Sequence, residues 1–160
     1  MALRSSARSP YDTAMLNEDY ALAQKIAQEL VKNDPADPNA LIALAHAQFM
    51  LGDRAEATSN YDKAIEVAPK NTIALYSRGL VAQEQDDFET AKEFYERALE
   101  VDKNYPDAHY GMAAACEGIG LPNLVIHHAT RFLELSPPSS LADQARDMIK
   151  LAREEMAADQ

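Results

Sequence analysis

The feature that most constrains this sequence is an internal repeat, with a period of about 34 residues, that runs through most of its length. Pro35 and Pro69 are one period apart, Pro137 lies two periods further on, and Lys103 takes the intermediate position. Small residues keep the same spacing in two further series: Ala23, Ala57 and Ala91, completed by Val125, and Ala40, Ala74 and Ala108. A fixed period of this length indicates an architecture in which each copy is one supersecondary unit that buries its apolar face against its neighbours.

Three copies can be written out in full, over residues 38 to 71, 72 to 105 and 106 to 139. Each contains two stretches of roughly a dozen residues in which apolar or small side chains recur at spacings of three and four, which predicts two helices joined by a short turn. Asp37 before Pro38 is typical of an N-cap and a first helical position, and Asp53 with Glu56 has the pattern of a capping box. The sequence therefore predicts an all-α chain of antiparallel helix pairs.

Particular residue types recur at fixed places in these copies. They are small residues in the first helix (Ala45, Gly79, Ala113), turn glycines (Gly52, Gly120) and a run in the second helix (Ala57, Tyr61, Ala64 and Pro69, repeated as Ala91, Tyr95 and Ala98). In these positions the chain resembles the tetratricopeptide repeat (TPR) family. Small residues allow close helix approach, and a tyrosine fills the remaining space. The third copy exchanges the large and small positions, with Ala129 and Phe132, so we expect shifted packing there.

The resemblance implies an all-α TPR solenoid, a right-handed superhelix of antiparallel helix pairs with a C-terminal capping helix. We expect a disordered tail at 1–9 and a single TPR domain at 10–158, which consists of a partial repeat at 10–37, repeats at 38–71, 72–105 and 106–139, and a capping helix at 140–158. Both ends need atypical units, because an apolar repeat face without a neighbour would contact water. The inward stripe of the capping helix is predicted to be Leu141, Ala145, Met148, Ile149, Ala152 and Met156.

In the family, the first helix of each pair lines a concave groove in which partners bind. Positions three and four apart on those helices, carried forward by one period, give four columns of predicted partner-binding residues. They are Asn39, Ile73 and Asp107; Ile42, Tyr76 and Tyr110; His46, Leu80 and Ala114; and Phe49, Gln83 and Glu117. The opposite stripe of Leu41, Leu75, Met112 and Cys116 is predicted to be core. Apolar groups on an open face indicate a binding surface, although packing against neighbouring helices is the alternative for any one of them.

The charge of this groove bears on its partner. The columns contain Asp107 and Glu117 and no lysine or arginine. The resemblance also allows one subfamily to be considered, the clamp that binds the acidic tails of heat-shock chaperones through lysines, arginines and asparagines at such positions. In this chain a free carboxylate would instead meet the repulsion of Asp107 and Glu117. We therefore expect an apolar or basic segment of a protein, extended or helical, as the partner.

Composition excludes several other classes of function. A net charge of -11 disfavours binding to nucleic acid or to an anionic membrane surface. No stretch has the length of a membrane span, and the opening residues lack the apolar core of a secretory signal, so we expect no direct membrane insertion. Cys116 is the only cysteine, which excludes an internal disulfide and fits a reducing, cytoplasmic compartment.

Patterns for catalysis or metal binding are missing from the sequence. His127 and His128 are adjacent on a predicted helix and point about 100° apart, unlike an i, i+4 ligand pair. Cys116 lies on the predicted core stripe, and there is no phosphate loop or nucleophile elbow. We therefore expect a non-enzymatic adaptor without cofactor or metal. Two alternatives stay open: a self-associating structural scaffold, hence a possible homo-oligomer, and a secretion-type chaperone for an apolar partner segment.

Overall fold

The computed structural model describes residues 8–136 and 140–158. Within these residues the chain forms nine α-helices and no strand, which confirms the predicted all-α class. The helices are α1 (Pro10–Leu16), α2 (Tyr20–Asn33), α3 (Pro38–Leu51), α4 (Arg54–Val67), α5 (Thr72–Gln83), α6 (Phe88–Val101), α7 (Pro106–Ile119), α8 (Pro122–Leu135) and α9 (Ser140–Ala158). Most of the tail predicted at 1–9 lies outside the described residues. None of the described helices combines the length and the apolar character that crossing a membrane requires.

The chain divides into two compact units, one ending at Pro69 and the other beginning at Lys70. The first contains α1 to α4 and the second contains α5 to α9, and within each unit every helix packs against the next one along the chain. Short turns between long helices make such neighbours antiparallel. The copies at 38–71, 72–105 and 106–139 each hold one helix pair. The assignment of all of them to a single domain stays a prediction.

A residue with a positive φ angle lies in the turn after the first helix of every described pair. Gly52 and Gly120 have φ angles of 90° and 76°, and one period before each of them Glu18 and Asp86 have φ angles of 58° and 57°. This left-handed conformation costs glycine little but strains other residues. The turn geometry therefore recurs once per period even where the sequence lacks the glycine that would indicate it.

Side-chain caps begin several helices at the repeated positions. Asp37 accepts a hydrogen bond from the Asn39 amide (2.9 Å), and Asn71, one period later, accepts one from the Ala74 amide (3.0 Å). The predicted capping box is wrong. Asp53 does occupy the N-cap position of α4, but in the described structure its side chain makes no cap hydrogen bond. The closing of that turn instead uses backbone bonds, including the Asp53 amide to the Gln48 carbonyl at 2.9 Å.

The core of the second unit is built around Tyr95, whose ring is fully buried between two glycines. A Cβ atom added to Gly79 on α5 would lie 2.6 Å from Tyr95 Cε1, and one added to Gly111 on α7 would lie 2.6 Å from Tyr95 Cζ. The predicted complementarity of small and large positions thus involves both helices that flank α6. In the third copy Phe132 is buried instead, with its ring centroid 5.2 Å from that of Tyr110.

Most residues of the predicted core stripes are buried in the structure. Leu41, Leu75, Met112 and Cys116 are all buried, as predicted. In α9, Ala145, Met148 and Ala152 are buried, and Ile149 and Met156 are half-buried. The prediction for Leu141 is wrong, because this side chain is 37% exposed. Ala142 is buried in its place. Ala142 lies three residues before Ala145, on the same side of the helix.

The outward face of α9 is charged, as expected for the predicted capping helix. One period after buried residues of α7 (His109, Met112, Ala113 and Cys116), α9 carries Asp143, Arg146, Asp147 and Lys150, all of them exposed. A following helix would have to desolvate these four charges to cover that face, which is unfavourable. The charged face is therefore stable in water where the equivalent face of α7 requires α8.

Candidate functional site

The twelve predicted partner-binding residues all lie in the described part of the chain, and none of them is buried. Four belong to the first unit and form what we call the α3 face: Asn39, Ile42, His46 and Phe49. Eight belong to the second unit and form what we call the α5–α7 face: Ile73, Tyr76, Leu80 and Gln83 from α5, and Asp107, Tyr110, Ala114 and Glu117 from α7. Their role in binding stays a prediction.

The α5–α7 face has an apolar floor and an acidic rim. Tyr76, Leu80, Tyr110 and Ala114 are half-buried and pack against the same core cluster of the second unit. Ile73, Asp107 and Glu117 are exposed, with Ile73 presenting 56% of its surface to solvent. The stacking of α7 beside α5 therefore brings residues from two copies together on one surface.

Tyr76 is the most enclosed of these side chains. Its ring centroid lies 5.7 Å from that of Tyr95 and 5.4 Å from that of Tyr105, the latter in an edge-on contact. Burial, followed by the nearby charge of Asp107, raises the pKa of Tyr76 well above its ordinary value. The hydroxyl is therefore protonated at neutral pH, and the ring serves as a neutral apolar surface with a hydrogen-bonding edge.

Gln83 is oriented from the core. The Tyr95 hydroxyl donates a hydrogen bond of 3.0 Å to Gln83 Oε1. Because this bond uses the amide oxygen as an acceptor, the Gln83 amide nitrogen is oriented to donate to another group. Gln83 thus offers hydrogen-bond donors beside the acidic rim.

The structure adds residues of α9 that sequence reasoning missed. The Tyr110 hydroxyl donates a hydrogen bond of 2.6 Å to Oε1 of Gln144, which is one period further along the chain. Leu141 and Leu151 stand one period after Asp107 and Glu117, and they are 37% and 56% exposed. We call Leu141, Gln144 and Leu151 the α9 extension. One further step of the period along the sequence indicates these three positions.

The α3 face in the first unit is partly apolar and has little charge. The guanidinium carbon of Arg54 lies 5.4 Å from the centroid of the half-buried Phe49 ring. Desolvation lowers the pKa of His46, so its imidazole is neutral at pH 7, although the residue is exposed. Asn39 is exposed and Ile42 is half-buried. This face presents neutral polar and apolar groups to solvent.

Histidine, cysteine and acidic side chains are the other groups with reactive chemistry. Among the described residues, no group of three or more histidine, cysteine, aspartate or glutamate side chains could hold a metal ion. Cys116 is a buried free thiol, and burial raises its pKa, which keeps it protonated and unreactive. The Nδ1 atom of His128 lies 2.9 Å from Nδ1 of His109, a contact that residue spacing does not indicate, and the His128 ring also meets the His127 ring edge-on, with the centroids 4.8 Å apart.

The sequence matches models of a known protein family. Two family models, both described as tetratricopeptide repeat, match residues 14–81 and 72–105. Together the matched ranges run from residue 14 to residue 105, more than half of the chain.

Among curated proteins, the chain is similar to the heat-shock protein cognate (HSC) co-chaperone sgt12 of Aspergillus fumigatus, at 28% identity over 138 residues. That match covers 86% of this chain and 38% of the co-chaperone, so the chain spans well under half of that relative's length. Another match is the protein SGT1 homolog of Oryza sativa subsp. japonica, 28% identical over 91 residues, covering 57% of this chain and 25% of the relative.

Among solved structures, the chain is similar to the crystal structure of MamA, with a TM-score of 0.81 and 20% identity, over 94% of this chain and 86% of that one. The first TPR of Spaghetti (RPAP3), bound to the HSP90 peptide SRMEEVD, has a TM-score of 0.70 and 20% identity, over 75% of this chain and 93% of that one. At these identities the likeness shows a shared fold.

Proposed function

Because this chain belongs to the tetratricopeptide repeat family and has its all-α solenoid fold, we propose that it is a protein-binding module. In this proposal the α5–α7 face, with its α9 extension, binds a peptide or helical segment of a partner protein. The observation that carries the proposal is the half-buried apolar floor of Tyr76, Leu80 and Tyr110, open beside exposed carboxylates. Apolar groups left on an open face of a small protein are typical of interaction surfaces. The α3 face is proposed as a second contact area.

The chemistry of the α5–α7 face favours a segment with apolar anchors and basic residues. Asp107 and Glu117 are both exposed and lie at either end of α7. The HSP90 peptide bound by Spaghetti carries three acidic residues in its sequence SRMEEVD. The eight positions of the α5–α7 face include no lysine or arginine that would pair with such residues. We therefore propose a partner of opposite charge to that peptide.

We also propose that the protein is cytoplasmic. We propose further that it binds its partner without catalysing a reaction. The tyrosine hydroxyls of the face have raised pKa values and so are poor bases and nucleophiles at neutral pH. The exposed carboxylates are solvated side chains of a kind common on helical surfaces. The α5–α7 face therefore provides a partner with apolar contact surface, hydrogen-bonding groups and negative charge.

The test begins with a selection of binding peptides from a random display library on the whole chain. We expect the selected peptides to combine aliphatic or aromatic residues with lysine or arginine. The double variant Asp107→Lys, Glu117→Lys should weaken their binding about tenfold, because two charge attractions of roughly 0.7 kcal/mol each become repulsions or are lost. The matched control is Glu93→Lys, Glu100→Lys on α6, which changes the net charge equally at two other exposed positions.

A second pair of variants tests the apolar part of the face. Ile73→Glu removes an exposed apolar side chain from the face, and Val101→Glu makes the same kind of change at a 41% exposed position on α6. We expect Ile73→Glu to weaken binding and Val101→Glu to leave it unchanged, as measured by calorimetry at physiological salt. Equal effects of the two charge-reversal doubles, together with equal effects of these two single variants, would refute the α5–α7 face as the binding site.

A further inference from the structure

A pair of histidines connects α7 to α8 on the side of α7 away from the α5–α7 face. The Nδ1 atoms of His109 and His128 are 2.9 Å apart, and the ring centroids are separated by 5.2 Å. His109 is only 6% exposed and His128 is half-buried. Two nitrogen atoms at this distance in a shielded place require one shared proton between them, because two N–H groups would repel each other and two lone pairs would leave buried acceptors unsatisfied.

The backbone determines which ring supplies that proton. His109 Nε2 lies 3.1 Å from the carbonyl oxygen of Lys103, and a carbonyl can only accept. His109 Nε2 therefore carries hydrogen, and in a neutral ring His109 Nδ1 is then the acceptor. His128 Nδ1 must be the donor, which leaves His128 Nε2 as the remaining basic nitrogen of the pair. Both rings are neutral in this arrangement.

The surroundings of the pair disfavour an added proton. The charged and titratable groups that act on it are Lys92 and Glu96 from α6 and His127 and Arg131 from α8. Burial, followed by His109 and His127, lowers the pKa of His128 to about 4, and burial also lowers that of His109. Glu96 acts in the opposite direction on His128, but less strongly than burial and the neighbouring histidines. Arg131 is itself held by Asn104 Oδ1 and Glu134 Oε2, both at 2.7 Å.

We propose that the His109–His128 pair is an acid-sensitive contact that holds α7 against α8 only while both imidazoles are neutral. A proton on His109 Nδ1 would place two N–H groups against each other across 2.9 Å. A proton on His128 Nε2 would create a charged ring in a partly desolvated place, where the attraction of Glu96 is weaker than the cost of burial. The unfolded chain, by contrast, takes up this proton at an ordinary histidine pKa of 6.5. Stability from the pair is therefore present above about pH 6.5 and is lost as the pH falls toward 4.

The geometry can be tested in the native protein by ¹⁵N nuclear magnetic resonance. Long-range ¹H–¹⁵N correlation at about pH 7.5 should show the Nε2–H tautomer for His109 and the Nδ1–H tautomer for His128, with a scalar coupling between the two Nδ1 atoms across the hydrogen bond. On acid titration His128 should protonate well below its ordinary pKa. Nε2–H tautomers on both rings, or protonation of His128 near pH 6.5, would overturn the proposal.

The consequence for stability is tested with His128→Gln, which cannot titrate, and with His127→Gln as the matched control on the same helix. Unfolding by urea is followed through the resonances of α7 at about pH 7.5 and 5.5. From a pKa of 6.5 in the unfolded chain and about 4 in the folded chain, the unfolding constant of the wild type should rise about tenfold more than that of His128→Gln. His127→Gln keeps the pair but removes one of the groups that lower the pKa of His128, so its unfolding constant should rise less than that of the wild type and clearly more than that of His128→Gln. An equal rise in the wild type and His128→Gln would overturn the proposal, and if that variant does not fold, the tautomers and the titration of the wild type decide it.

Discussion

Replacement of Gly111 by alanine tests how tightly the second unit is packed. The added Cβ atom would lie 2.6, 2.8 and 2.9 Å from three carbons of the Tyr95 ring. Real Cβ atoms do not approach a ring this closely, so either the ring or α7 must move. The ring has little room to do so. It is fully buried, its other side faces Gly79 at a similar distance, and its hydroxyl is bonded to Gln83.

The magnitude follows from two opposing effects. Overpacking of a well-packed core typically costs about 1 to 3 kcal/mol. Alanine in place of glycine inside a helix returns about 1 kcal/mol through the lower backbone entropy of the unfolded chain. Because Tyr95 is enclosed on both faces, the cost should lie in the upper part of its range. We therefore expect Gly111→Ala to lower the free energy of unfolding by roughly 1 to roughly 2 kcal/mol, the difference between these two effects.

The assay is urea unfolding followed by far-ultraviolet circular dichroism, with Gly118→Ala as the matched control on the same helix. A Cβ atom on Gly118 would lie 2.5 Å from Cδ2 of Phe88, but Phe88 is half-buried at the start of α6 and can rotate toward solvent. Gly118→Ala has the same helix propensity gain of about 1 kcal/mol, and the movement of Phe88 offsets only part of that gain, so we expect no loss of stability. A Gly111→Ala protein as stable as Gly118→Ala would refute the reasoning. So would a loss that persists unchanged in a Tyr95→Leu background, where the ring is absent.

Three further predictions concern the turns, the close helix contacts and alkaline pH. Asp86→Gly should raise the free energy of unfolding by about 0.5 to 1 kcal/mol in urea titrations, because φ at this residue is 57° and glycine adopts that angle without strain. Gly120→Ala at the equivalent turn should lower the free energy of unfolding by about 1 kcal/mol. An Asp86→Gly protein that is less stable than the wild type would contradict this reading of the turns. Ala91→Leu should cost about 1 to 3 kcal/mol in thermal or urea unfolding because Ala91 is fully buried in α6, and unchanged melting would mean that the repeat phase is misassigned. Burial raises the pKa values of Tyr76 and Tyr95 above the ordinary 10.0, so the unfolded chain releases these protons first and stability should fall as the pH rises above 10. Tyrosinate absorbance should then increase together with the loss of helical circular dichroism, and complete tyrosine ionisation in a still folded protein would argue against it.

Much of the fold could be predicted from the period alone. Leu41, Leu75, Met112 and Cys116 were predicted as core from their place in the repeat, and they are buried. The guanidinium carbon of Arg78 lies 4.9 Å from the centroid of the Phe94 ring, a contact between helices that the period does not indicate. The prediction for Leu141 was wrong because the adjacent Ala142 is buried in its place, and the packing of α9 on α7 and α8 decides which side of the helix faces the core.

The candidate site was predicted less completely. The period placed twelve residues on the first helices of the pairs, and all of them reach solvent at least in part. It could not indicate that Tyr76 is enclosed by Tyr95 and Tyr105, or that Tyr110 is tied to Gln144 on α9. These contacts depend on side-chain directions across neighbouring helices, which residue spacing along one helix does not define.

The sequence by itself determined that the chain is helical, that one helix pair recurs in each period and which stripe of each first helix is core, because these features follow from local periodicity and from where small residues permit close approach. Only the tertiary structure decided that His109 Nδ1 lies 2.9 Å from His128 Nδ1, that Tyr95 lies between Gly79 and Gly111, and that Asp86 adopts a left-handed turn without glycine. The reason is physical. Local patterns follow from the geometry of a single helix, whereas these contacts arise when several helices compete for the same space and each side chain must fit what its neighbours leave.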